Sequence, residues 1–104
     1  MPSKAARRAR EARLIQKYGL TSAQWEKMYQ LQEGACPICL KPILKYGNKL
    51  GKLAASVDHD HKPPFRVRGL LCWLCNRKRV GNLTKDLARR IAIYLESDFD
   101  GRKL

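Results

Sequence analysis

Four cysteines, at positions 36, 39, 72 and 75, bracket the segment Val57-Asp58-His59-Asp60-His61, and Asn76 directly follows the last of them. Two Cys-x-x-Cys pairs of soft thiolates suit one tetrahedral Zn²⁺. Each knuckle turns back on itself, so both of its sulfurs can reach the same ion. A closed four-sulfur site leaves no open coordination position. Cys36, Cys39, Cys72 and Cys75 are therefore expected to staple the fold, and the chemistry falls to a carboxylate, an imidazole and a carboxamide.

Between Gly34 and Lys85 the only acids are Asp58 and Asp60, alternating with the only two histidines of the chain, among eleven basic residues. Packing explains such confinement poorly. In an extended strand Asp58 and Asp60 share one face, and His59 and His61 the other. A hard cation such as Mg²⁺ or Mn²⁺ takes carboxylate and amide oxygens and keeps most of its waters. Asp58 and Asn76 form such a pair if the second knuckle folds its helix back over the strand. A neutral His59 beside them can take a proton from an attacking water. Arg66, Arg68, Arg77 and Lys78 are placed to hold phosphates, and Arg79 extends that cluster. The chemistry indicated is metal-assisted hydrolysis of a phosphodiester. Two other readings of Asp-His-Asp-His stand beside it: a second zinc site, and a solvated turn.

The elements that must position these groups follow from local signals. Ser3 to Tyr18 reads as a helix closed by Gly19. It carries Lys4, Arg7, Arg8, Arg10, Arg13 and Lys17 against one acid, Glu11. Arg7 and Arg10 are candidate phosphate contacts, and Leu14, Ile15 and Tyr18 are its candidate anchors. Thr21 to Gln24 reads as a capping box, with Leu20 and Trp25 as a hydrophobic staple. The helix that follows, to about Gln32, carries an apolar stripe of Trp25, Met28 and Tyr29. Leu40 to Ala55 reads as a basic loop containing Lys41, Lys45, Lys49 and Lys52, with a short strand at Ile43-Leu44. Strands are expected at 54–57, leading into Asp58-His59, and at 65–71, joined by an extended loop at Pro63-Pro64. A short helix from Cys72 to Arg79 carries the second knuckle. A last helix, 84–96, has an apolar face of Leu87, Ile91, Tyr94 and Leu95. The expected organisation is a basic helix or arm at 1–18, a zinc-stapled domain at 19–96 and a disordered tail at 97–104.

The 104 residues suit one small α+β domain, whose core is marginal without a structural metal. A formal net charge of +13 implies a polyanionic partner. No apolar run is long enough to span a bilayer, and no secretory signal is evident. A cytoplasmic location is expected, where thiols stay reduced.

The run VDHDH, followed by RVRGLLCWLCN and preceded by a Cys-x-x-Cys knuckle, resembles the phage recombination endonuclease VII family of His-Me finger (ββα-metal, HNH-like) nucleases. The lead-in KYGLTSAQWEKMYQLQEGACPIC and the closing LTKDLARRIAIYLE extend the resemblance over residues 14–96. It implies a zinc-stapled ββα-metal core with flanking helices. It implies Asp58 and Asn76 as ligands of a catalytic Mg²⁺ or Mn²⁺, His59 as general base, His61 as a supporting active-site histidine, and the four cysteines as structural zinc ligands. It also implies DNA cleavage leaving 5′-phosphate and 3′-hydroxyl ends, and the host cytoplasm as location. The best-known member resolves branched DNA, including Holliday junctions, as a dimer with interlocked helices. Branched or duplex DNA and a homodimeric partner are the corresponding expectations. Charge and cysteines alone also fit a different class, a non-catalytic zinc module that binds nucleic acid.

Overall fold

A computed structural model describes residues 3–45 and 53–104. Lys49 and Lys52 of the expected basic loop lie outside them.

Helix α1 runs Lys4–Tyr18 and α2 runs Ser22–Leu31. The Ser3 hydroxyl accepts from the Ala6 amide at 3.1 Å and starts α1. Gly19, at φ 65°, ends it, with the Gly19 and Leu20 amides donating back to the Ile15 and Leu14 carbonyls. That left-handed position suits a residue without Cβ. The capping box of α2 forms as expected. The Gln24 amide donates to Thr21 Oγ1 at 3.1 Å, and the Thr21 amide to Gln24 Oε1 at 2.9 Å. Leu20 and Trp25 are both buried, consistent with the staple. Met28 and Tyr29 pack against the same core, so the α2 stripe is a core face.

The two helices meet through Leu14 and Trp25, with the Arg10 guanidinium 4.4 Å from the Trp25 ring centroid and Ser22 Oγ donating to Glu11. The last turns of α1 are therefore anchored through Leu14 and Tyr18, whereas Ile15, the third expected anchor, is 51 % exposed.

Strands β1 (Ala55–His59) and β2 (Val67–Cys72) form one antiparallel pair. Ala55 faces Cys72, Val57 faces Leu70 and Asp58 faces Gly69. The register then slips between Asp58 and His59, so that His59 faces Val67 and Arg68 is the extra residue. Gln32, just past α2, clamps the outer edge of β2. Its Nε2 donates to the Leu70 carbonyl at 2.8 Å and its Oε1 accepts from the Leu70 amide at 2.9 Å. One side-chain amide thus supplies the pairing a third strand would give.

The connections differ from expectation in two places. Ile43-Leu44 forms no strand; it is an extended stretch between single bridges, Ala35 with Pro42 and Leu44 with Ala54. Ile43 nonetheless sits in the core, its carbonyl accepting from the Tyr29 hydroxyl. The Pro63-Pro64 peptide is cis, and the loop turns there, with the Phe65 amide donating to the Lys62 carbonyl.

After β2 the chain coils at once into a helix whose Cys75–Val80 portion is π-wound. The Gly81 amide closes a five-residue step onto the Asn76 carbonyl. Helix α3 spans Lys85–Glu96, capped by Thr84. Its apolar face is not buried: Ile91 is 42 % exposed and Leu95 73 %. Beyond it, Gly101–Lys103 forms one 3₁₀ turn capped by Asp100, so the segment expected to be a featureless tail carries local structure. The molecule is elongated, with a radius of gyration of 17.0 Å. About 13 Å is usual for a compact domain of this length.

Candidate functional site

The hairpin, both knuckles and the π-wound turn converge on the cysteines. Cys36, Cys72 and Cys75 are buried and Cys39 half-buried, and none is in a disulfide. The four sulfurs lie within 4.8 Å of one another, and the Cys39 and Cys72 sulfurs are 3.8 Å apart. Tetrahedral bonds of about 2.3 Å place sulfurs about 3.8 Å apart, so the cluster fits a zinc ion. The thiols differ in electrostatics when no ion is bound. Burial pushes the Cys36 thiol up, but the Cys39, Cys72 and Ile38 amides outweigh it and hold Cys36 at about 6. Burial drives Cys72 up to about 12. Arg79 Nη1 donates to the Cys75 sulfur at 3.1 Å, so this expected phosphate contact is committed to the cluster. Among the described residues no second group of three or more Cys, His, Asp or Glu gathers, so Asp-His-Asp-His does not form another zinc site of that kind.

Asp58 and His59 are not in a solvated turn, since both lie on β1 and Asp58 is only 6 % exposed, whereas His61 sits exposed in the bend beyond. Arg68 grips the Asp58 carboxylate in a fork, Nε and Nη2 each 2.8 Å from an oxygen. The Arg68 Nε also lies 3.7 Å from Asp60, which in turn accepts from Arg66 Nε at 2.9 Å. The Arg66 hydrogen bond holds the Asp60 carboxyl below the usual carboxylate range. Asp58, Arg68, Asp60 and Arg66 thus make a chain of alternating charge on one side. Arg68 is the residue the register slip adds, which gives its side chain a place beside both acids. Arg68, expected to hold a phosphate, instead directs its Nε and Nη2 at carboxylates.

The histidines gather separately. The His59 and His61 rings are 5.1 Å apart, and Tyr18 at the end of α1 lies 5.4 Å from His59. The expected split of acids from imidazoles is present. Asn76 lines a cleft of about 410 Å³ together with Ala55, Ser56 and Val57. Asp58 does not line it, so the Asp58 carboxylate and the Asn76 amide do not share this cavity. Each Asp58 oxygen keeps a lone pair beyond the one Arg68 uses, and the Asn76 carboxamide lies on the π-wound helix that follows β2. Arg77 lines the same cleft, and Lys78 and Arg66 are exposed. Arg10 also lines it, whereas Arg7 lines a neighbouring cleft with Glu11 and Glu26.

Three partnerships carried no sequence signal: Arg68 on Asp58, Gln32 on β2, and Tyr18 against His59. Each joins residues distant in sequence, and no local pattern encodes such a pairing.

The family model for recombination endonuclease VII matches residues 11–97. The chain belongs to that family. Two curated relatives, the Gene 59 proteins of Mycobacterium phages L5 and D29, are each 41 % identical to it over 71 residues. That alignment covers 68 % of this chain and 39 % of each relative, so the chain spans about two-fifths of their length. No solved structure matches it. Among the described residues no helix is long and apolar enough to cross a membrane.

Two outcomes follow. Chelating the zinc should abolish cooperative thermal unfolding followed by circular dichroism, and zinc loss should increase as pH falls, because protons compete for thiolates. A melting curve indifferent to chelator would remove the cluster from the fold's support. Arg68→Gln strands a buried carboxylate, and should lower stability by about 3 kcal/mol in a denaturant titration. An unchanged midpoint would show that the fork is not what holds Asp58.

Proposed function

We propose that this protein is a metal-dependent DNA endonuclease of the His-Me finger (ββα-metal, HNH-like) type. The observation that carries the reading is a half-buried imidazole, His59, on the strand end beside a buried carboxylate, Asp58, next to a cysteine cluster that fits zinc. Asp58 and Asn76 would hold Mg²⁺ or Mn²⁺. Such an ion, when bound, stabilises negative charge on the phosphate and on the departing 3′ oxygen. His59 takes the proton from the attacking water. Tyr18 and His61 flank the His59 ring and limit how it can turn. His61 supports the site from the far side of His59, and Asp60 holds Arg66 and Arg68 in place. Arg77, Lys78, Arg10 and Arg7 supply positive charge toward the DNA backbone, as the net charge of +13 leads one to expect. Cleavage leaves 5′-phosphate and 3′-hydroxyl ends. The segment at 19–96 is the nuclease domain, 1–18 its basic DNA-contacting helix, and the host cytoplasm its place of action.

The substrate we infer is branched DNA, Holliday junctions included, cut by a homodimer. Two cuts at a junction need two active sites at a set separation. The exposed Leu87, Ile91, Tyr94 and Leu95 on α3 support this assembly, since an apolar face of that kind calls for a cover.

His59→Ala should lower Mg²⁺-dependent nicking of supercoiled plasmid by about 10²–10⁴-fold, with zinc content and circular dichroism unchanged. Full activity would sink the assignment, and binding without cutting in the unmodified protein would favour a non-catalytic zinc module. Ile91→Glu with Leu95→Glu should convert a dimer to a monomer in sedimentation. A monomeric unmodified protein would remove the paired-cut reading.

A further inference from the structure

The cleft beside Asn76 combines cations and an aromatic ring in a way that phosphate binding alone does not require. Arg10, Arg13 and Lys17 of α1 line it together with Lys45, Trp73 and Arg77, with no acid among the lining residues. Trp73 is partly exposed, and the Arg77 guanidinium lies 5.4 Å from its ring centroid. Tyr18 lines the cleft and also touches His59, while Asn76 forms part of its floor. The cavity therefore includes Asn76 and adjoins His59 through Tyr18.

We propose that this cleft seats an unpaired nucleotide of the DNA strand next to the scissile phosphate. Its base stacks on Trp73, and its phosphates lie between the α1 cations and Arg77. The proposal rests on the DNA-nuclease reading above and names the local DNA structure that reading leaves open. The argument is one of access. In a duplex each base face is covered by its neighbours, so an indole ring can stack on a base only where the helix is opened. Phosphates run along both walls of any groove this basic, but a ring aligned with an arginine adds a contact that paired DNA cannot use. At about 410 Å³ the cavity falls within the usual range of small-ligand sites. DNA opened at a branch point, gap or flap presents such a nucleotide.

The test uses the full-length, zinc-loaded His59→Ala protein, which leaves DNA uncut, with two probes at fixed salt. One is a blunt duplex and the other is the same duplex carrying a single-stranded gap. The chain has two tryptophans and both line the cleft, so fluorescence quenching on binding reports Trp73 where Trp73→Phe removes it. The gapped probe should quench and the blunt duplex should not. Adding Trp73→Ala should weaken binding of the gapped probe roughly tenfold to hundredfold and leave the blunt duplex unchanged. Trp73→Phe should retain most of the affinity. Arg13→Gln with Lys17→Gln should reduce the salt slope by roughly 2 for the gapped probe. Equal weakening on both probes, or quenching by both, would overturn the stacking site and leave a plain phosphate groove. If Trp73→Ala loses its zinc, the quenching comparison and Trp73→Phe decide the matter. Failure to bind either probe would instead remove the DNA reading itself.

Discussion

The four-sulfur cluster is the constraint on which the rest of the molecule depends. The buried core is small, and Cys36, Cys72 and Cys75 are themselves among its most enclosed members. Little apolar surface is therefore available to resist the chain's entropy. A single ion bound by both knuckles would join the segment after α2 to the segment after β2. It would close a loop that contains the whole hairpin. Everything with a chemical role then hangs from that point. Asn76 follows Cys75 directly, Arg79 touches the Cys75 sulfur one turn later, and β1 is held because β2 runs into Cys72.

The hairpin sorts the functional groups by simple alternation. Successive side chains on a strand point to opposite faces. One face receives His59, continued by His61 and covered by Tyr18; the other receives Asp58, continued by Asp60. The register slip at Asp58/His59 matters because it adds Arg68 to the opposite strand. Without the extra residue there would be no guanidinium forked onto Asp58. A buried carboxylate needs such a partner, since an isolated one is costly. The same contact removes Arg68 from the cations free to meet a phosphate, just as Cys75 removes Arg79. Of the candidate phosphate contacts, Arg7, Arg10, Arg77 and Lys78 carry neither kind of engagement.

The features legible in the sequence were those encoded within a few residues. Ser3, Gly19 and the Thr21/Gln24 box set the limits of α1 and α2, and Cys-x-x-Cys spacing fixed the ligand set. The alternation of Asp and His fixed the two faces. Long-range partnerships were not legible. Gln32 pairing with Leu70 looks, in sequence, like any surface glutamine at a helix end. The π-winding of Cys75–Val80 depends on how Gly81 returns to Asn76, which composition does not specify. Charge counting identified arginines but could not show which were already committed to carboxylates or to a thiolate. The periodicity of α3 was read correctly as an apolar face, yet periodicity cannot say what covers it.

Helices α1 and α3 differ physically in what they expose. Their polarity is reversed. α1 is cationic and touches the core through Arg10 over the Trp25 ring and through its last turns, where Leu14 is buried and Tyr18 meets His59. α3 exposes Ile91, Ile93, Tyr94 and Leu95 instead. A cationic helix with no apolar face gains little from a protein partner and much from a polyanion. An apolar face on a helix has the opposite preference, because its exposure to water is what association relieves. The two helices therefore differ in what would relieve their exposure, a polyanion for α1 and an apolar surface for α3. The Tyr18–His59 contact makes α1 the helix that touches the candidate catalytic residues.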